Sequence, residues 1–234
     1  MIVLIAGMQR SGSTFSFNVV RELLAARGST ATIATNSTVD ALEEGGACDH
    51  LIIKSHVPDQ LADILIRIGA IKCICTIRKP QDAISSWMHV FGFNLLETVA
   101  MIKQWLRWHE KICEYVLNIG YENVDRYPVF AVYRICRYVV RDASIAECLK
   151  IWWRYRKSEV KKRTDNLSSA DPDVKDIGFS YYDKDSFFHR RHISVQTSKR
   201  AEDLLSGEEL SYIRSELRDL TDSVGNYNWR SRAR

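Results

Sequence analysis

The chain begins with an unbroken apolar run, Ile2 to Ala6, and mostly apolar, Ile-rich runs recur at Leu51 to Lys54 (LIIK) and Ile71 to Ile77 (IKCICTI). Each is short and reads as a strand, the first two as buried strands of the kind found in a parallel sheet. Between them the period changes. Phe15, Val19, Val20, Leu23 and Leu24 recur at helical spacing and predict a helix over Phe15 to Ala26. Pro58 and Pro80 each open a helical stretch, PDQLADILIRI and PQDAISSWMHVF, because Pro is favoured in a first turn. A long amphipathic helix follows over Leu95 to Leu117, a fourth strand over Tyr127 to Tyr133 (YPVFAVY), then helices to about Lys162. RGSTATIATNST and TDNLSSADPDVKD are polar and turn-rich and read as loops, with a mobile loop expected near 164–187. The last helix has a capping box, Ser206 with Glu209, before LSYIRSEL.

Strand and helix alternate through the first half, which predicts a three-layer α/β/α fold with a mainly parallel, P-loop-like central sheet. The 234 residues are long enough for one large core, and we expect a single domain over 1–234. Composition is that of an ordinary globular protein, 46% hydrophobic and 26% charged. The net charge of +4 suits an anionic ligand but is too small to argue for nucleic acid or a membrane surface. Part of it sits in Arg230, Arg232 and Arg234 at the end of the chain. The six cysteines form no C-x-x-C pair, and Cys73 and Cys75 alternate with Ile as small core residues. That pattern suits a reducing compartment and gives no reason to expect a metal. No basic n-region precedes MIVLIAG, and no run approaches the ~18 apolar residues of a membrane span. The expectation is a soluble, cytoplasmic protein.

The chemistry lies just beyond the strands. In open α/β sheets, ligands sit past the carboxyl ends. After the first run comes GMQRSGST, Gly7 to Thr14, with the G-x-x-x-x-G frame of a phosphate loop. A Walker loop would place Lys after the second Gly; here Ser13 stands there, and the nearest cation is Arg10. After the second run, Lys54 and His56 share a face of extended chain, a cation beside a titratable imidazole. After the third come Arg78 and, on the next helix, Ser86. A ligand with two separated anionic groups would explain all three, one group at Gly7 to Thr14 and one near Arg78 and Ser86.

These blocks resemble those of the sulfotransferases that use 3′-phosphoadenosine 5′-phosphosulfate (PAPS) and release PAP. RSGST is similar to that family's 5′-phosphosulfate loop, which lacks the Walker lysine. The resemblance implies that Arg10, Ser11, Gly12, Ser13 and Thr14 hold the phosphosulfate, and that Phe15 stacks on adenine where many members carry Trp. IIKSHVP resembles the family's Lys-Thr-His-x-Pro segment, implying Lys54 at the sulfuryl group and bridging oxygen and His56 as catalytic base. TIRKPQDAISS resembles the 3′-phosphate motif, implying Arg78 and Ser86 as contacts and Pro80 and Asp82 as framework. FFHRRHIS resembles a closing Arg-Lys-Gly segment more loosely. Arg190 and Arg191 are the nearest equivalents, the Gly is absent, and Lys199 and Arg200 compete for the role.

The implied reaction is in-line sulfuryl transfer with no metal, from PAPS to a hydroxyl or nitrogen of a small-molecule acceptor, as in natural-product tailoring. The acceptor pocket would be walled by the segment after Pro58, by Trp87, Phe91 and Phe93, and by the 164–187 loop; Trp105, Trp108, Trp152 and Trp153 read as core or interface. A saccharide or lipid-linked acceptor is the nearest variant, and a P-loop kinase the main rival. Oligomeric state is left open, a homodimer included.

Overall fold

The computed structural model describes residues 1–178, 180–190 and 200–225, the side chains of 221–225 excepted. Five strands form the central sheet: β1 (Ile2–Ala6), β2 (Thr30–Ala34), β3 (His50–Ser55), β4 (Lys72–Ile77) and β5 (Leu117–Gly120). Their order is β2-β3-β1-β4-β5 and every pairing is parallel. The helices are α1 (Ser13–Ala25), α2 (Thr38–Gly45), α3 (Gln60–Arg67), α4 (Pro80–Phe91), α5 (Leu95–Ile112), α6 (Tyr121–Arg126), α7 (Pro128–Val139), α8 (Ile145–Tyr155), α9 (Lys157–Asp165) and α10 (Gly207–Gly225). A second, antiparallel pair, β6 (Val174–Asp176) and β7 (Tyr181–Asp183), lies between α9 and α10 in sequence.

The strand pleat divides the core in two. Leu4 and Ala6 of β1 join Ile84 of α4, Ile102 and Trp105 of α5, and Ile213 and Leu217 of α10. Val3 and Ile5, one residue out of step, join Phe17 and Val20 of α1, Ile135 of α7 and Ile151 of α8. Both faces of the strand are therefore covered, which is why its sequence shows no polar alternation. The three-layer parallel architecture is as the sequence predicts. Among the described residues, no helix is long and apolar enough to cross a membrane.

Several elements differ from the sequence reading. Thr30–Ala34, read as loop, is the edge strand β2, paired with β3 over its full length; its Thr-rich composition suits a half-buried edge. Tyr127 to Tyr133, read as a strand, belongs to helix α7. Pro128 occupies the first turn, and Ala131, Val132, Ile135, Cys136 and Val139 are buried at helical spacing. The true fifth strand, Leu117–Gly120, follows the long helix, which stops at Ile112 and tightens into a single 3-10 turn over Cys113–Tyr115. Pro58 precedes its helix rather than opening it. Asp59 is the N-cap and its carboxylate accepts from the Ala62 amide. Pro80 does open α4. Ser206 and Glu209 make the reciprocal pair of a capping box. The 164–187 stretch, read as loop, contains β6 and β7.

Candidate active site

The carboxyl ends of β1, β3, β4 and β5 lie along one edge of the sheet, in register at Ala6 with Ser55 and at Ile77 with Gly120. A cleft of about 1030 Å³ opens above that edge. Each strand end contributes a side chain to its wall: Arg10 after β1, Lys54 and His56 at and after the end of β3, Arg78 after β4, and Tyr121 after β5.

The loop after β1 is bent tightly. A Cβ on Gly7 would overlap the Thr76 hydroxyl of β4, so only glycine fits. Gly12 has φ +91 and serves as the N-cap of α1 without a side chain. The first turn of α1 thus has no capping side chain, and Gly12, Ser13 and Thr14 line the cleft, an arrangement suited to an anion. Arg10 takes φ 61, a left-handed conformation uncommon outside glycine and found disproportionately where function requires it.

Ser11 anchors the loop. Its hydroxyl lies 2.5 Å from the Met8 carbonyl and 2.6 Å from the Thr76 hydroxyl, and the residue is 0% exposed. Its side chain is thus committed to the loop itself, and Ser11 is not on the cleft wall, unlike Arg10, Gly12, Ser13, Thr14 and Phe15.

The cations are held by neutral groups. Arg10 Nε donates to Ser86 Oγ at 3.2 Å, and its guanidinium lies 5.2 Å from the Phe91 ring centre. Arg78 donates to the Arg10 carbonyl at 3.3 Å and stacks 4.3 Å from the centre of Tyr121. Lys54 Nζ lies 5.4 Å from the centre of Phe187. Among the described residues, no ion pair includes Arg10, Lys54 or Arg78. Three clustered cations without a carboxylate repel one another and are desolvated. Burial and the neighbouring Arg78 push Arg10 down to about 10, and burial pushes Lys54 down to about 8. An anion entering the cleft would relieve both penalties.

His56 is held by the glycine loop. Its Nδ1 lies 2.7 Å from the Gly7 carbonyl. A carbonyl only accepts, so Nδ1 carries the proton and Nε2 the lone pair. Burial first, then the charge of Lys54, push its pKa down to about 4, so the ring is neutral at pH 7.

A strap after β7 closes one side. Asn18, fully buried on α1, donates to the Thr14 carbonyl at 2.8 Å and to the Ser186 carbonyl at 2.7 Å. Phe187, at φ 55, packs 4.9 Å from Phe17 as well as over Lys54. His189 bridges back to Tyr182 and lines the cleft.

Of the other expected residues, Trp87 and Phe91 line the cleft, and Phe93 packs behind Trp87 at 5.3 Å. Trp105 is buried core, its indole N–H donating to the Ala6 carbonyl at the end of β1. Trp152 packs against the core beside α1 and also lines the cleft, and Trp153 is 58% exposed. Arg190 points away, exposed and stacked 5.5 Å from Tyr181, and is not on the cleft wall. Arg191, His192 and Lys199 lie outside the described residues, and Arg200 is exposed. Sequence reasoning missed Tyr121, because the expected helix ran to Leu117 and the short strand after it was not read. It also missed His189, because the flanking arginines drew the assignment.

No protein-family model and no curated protein matches the chain. Solved structures do. Mouse sulfotransferase SULT7A1, crystallised with PAP, aligns with TM-score 0.66 at 13% identity over 95% of this chain and 88% of its own. Retinol dehydratase with retinol and PAP aligns with TM-score 0.58 at 12% identity, covering 94% and 80%. The same enzyme with androsterone and PAP gives 0.58 at 12%, covering 99% and 82%. At such identity the likeness is one of fold, and the fold of this chain is the one seen in these sulfotransferases.

Proposed function

We propose that the chain transfers a sulfuryl group from PAPS to a hydroxyl or nitrogen of a small-molecule acceptor. The observation that carries this reading is the convergence of Arg10, Lys54 and Arg78, all without carboxylate partners, on a glycine loop and a proton-accepting His56. Such a cleft favours a ligand with several separated negative charges, and the fold neighbours were crystallised with PAP.

The roles follow from position. The α1 N-terminus with Ser13 and Thr14 holds the 5′-phosphate, and Arg10 and Lys54 screen the sulfuryl oxygens. Arg78 and Ser86 receive the 3′-phosphate, and Phe15 packs on adenine; of the two arginines expected to close over it, Arg190 would have to swing from Tyr181 to reach the ligand, and Arg191 is our candidate for the clamp. His56 Nε2 accepts the acceptor's proton as it attacks. Its low pKa keeps the lone pair available, and the negative charge of a bound nucleotide raises its proton affinity toward neutrality, where a general base works best. Trp87, Phe91 and Tyr182 offer the acceptor an apolar, aromatic wall, suited to a natural-product scaffold. Six cysteines with no C-x-x-C pair suit a reducing, cytoplasmic setting.

The test is PAP release from PAPS in the presence of a mixed panel of phenols, alcohols and amines, with acceptor products read by a mass gain of one sulfuryl group. Wild type forms such a product. His56→Ala retains PAP binding and loses ~10²–10⁴-fold in rate. Unchanged turnover in that variant refutes the base assignment.

A further inference from the structure

We propose that His189 binds the transferring sulfuryl group, an assignment that rests on the PAPS reading above. Two aromatic rings place it there. Its imidazole meets the Phe91 ring edge-on at 5.7 Å, and that same ring carries the Arg10 guanidinium at 5.2 Å. It also meets Tyr182 at 5.1 Å; Tyr182 in turn packs 5.9 Å from Phe187, the ring under which Lys54 lies. His189 is thus joined through aromatic rings to both cations assigned to the sulfuryl oxygens.

Its position is well determined. The Tyr182–His189 backbone bridge fixes the main chain, and Ser180 Oγ lies 3.1 Å from Nδ1 and orients the ring. The strap behind it is tied to α1 through Asn18 and the Ser186 carbonyl.

The electrostatics agree with the geometry. After burial, Lys54 and Arg10 are the groups that push the His189 pKa down, to about 4, and His189 in turn lowers that of His56. One imidazole that feels Lys54, Arg10 and His56 together lies close to the point they surround. A sulfuryl group in transfer spreads charge over three oxygens. Arg10, Lys54 and His189 can supply one donor direction each, with His56 reserved for the acceptor's proton. In the sequence HRR the arginines look like the anion ligands; the fold turns Arg190 out over Tyr181 and His189 inward.

PAPS and PAP differ only by the sulfuryl group, so paired dissociation constants at pH 7 without acceptor test the assignment. We expect His189→Phe, which keeps the packing on Phe91 and Tyr182, to weaken PAPS about tenfold or more while PAP stays within about twofold. His189→Gln, which keeps a donor, recovers part of the loss. The imidazole signals of His189 in nitrogen-detected spectra should shift with PAPS and stay in place with PAP. Equal losses for both nucleotides indicate a structural role, and no loss for either indicates a residue away from the sulfuryl group; each overturns the assignment. A wild-type protein that binds neither nucleotide refutes the PAPS reading itself, and this assignment with it.

Discussion

Lys54 has a pKa of about 8, depressed by burial from its ordinary 10.5. At pH 7 roughly nine in ten molecules carry the charged ammonium, and at pH 9 roughly one in ten. A sulfuryl or phosphate oxygen about 4 Å away stabilises the ammonium by about 4 kcal/mol at an effective dielectric near 20. That is equivalent to about three pKa units and restores Lys54 to above about 10 in the complex. Binding at pH 9 must therefore recharge the lysine. Taking the two pKa values together, the Kd for PAPS should rise about tenfold from pH 7 to pH 9, with about one proton taken up at the higher pH. Titration calorimetry in two buffers of different ionisation heat reads both quantities. Lys54→Met should bind more weakly at pH 7 and show no rise. A flat wild-type profile, or the same rise in Lys54→Met, refutes the placement of Lys54 against the anion.

Three other outcomes follow from the same geometry. His56 and His189 both fall from 6.5 to about 4 on folding, chiefly through burial, so between those values the unfolded chain binds more protons than the folded one. Stability therefore drops as pH falls from about 6.5 to 4, by about 2–3 kcal/mol per imidazole, and urea midpoints of a His56→Asn, His189→Asn double variant should flatten over that window. Arg78→Ala should weaken PAP by about 10–100-fold with little effect on AMP, since a lost hydrogen bond to a charged phosphate is worth about 1.5–3 kcal/mol; equal losses for both nucleotides would move the 3′-phosphate elsewhere. Asn18→Ala removes both the Thr14 and Ser186 hydrogen bonds; the expected cost is about 1–3 kcal/mol by chemical denaturation, with faster proteolysis at the strap, and an unchanged cleavage pattern would contradict its tethering role.

The strands that built the edge of the cleft were legible because both their faces are buried. Ile2–Ala6 carries that burial as an unbroken apolar run, Leu51–Lys54 and Ile71–Ile77 as runs interrupted only by Lys54, Lys72 and Thr76, and Arg10, Lys54, His56 and Arg78, at or beyond their ends, meet as the order of elements implied. Elements whose burial is partial misled the pattern. Thr30–Ala34 is an edge strand with no fully buried residue, so its Thr and Ala read as loop. Tyr127, Val129, Phe130 and Tyr133 are exposed aromatics and aliphatics on and beside α7, which made a helical face look like an apolar strand. That shift hid β5, and with it Tyr121, although Gly120 after VLNI was a usable strand-end signal. Ser11 was legible as part of the loop, but its inward hydroxyl depends on Thr76, sixty-five residues away, and no local pattern encodes that contact. His189 reaches the cleft only through the antiparallel pairing of the strap, which period and composition do not announce.

The central claim is that this lysine-free loop holds a 3′-phosphorylated adenosine phosphosulfate, and thermal stabilisation tests it most directly. PAP, adenosine 5′-phosphosulfate and ATP with Mg²⁺ are compared at equal concentration against the unliganded protein. A ligand that binds only the folded state adds about 2.7 kcal/mol at a hundredfold excess over its Kd. We expect a clear upward shift with PAP, metal absent, and little with ATP–Mg²⁺. A shift with ATP–Mg²⁺ and none with PAP would contradict it and assign the cleft to a kinase.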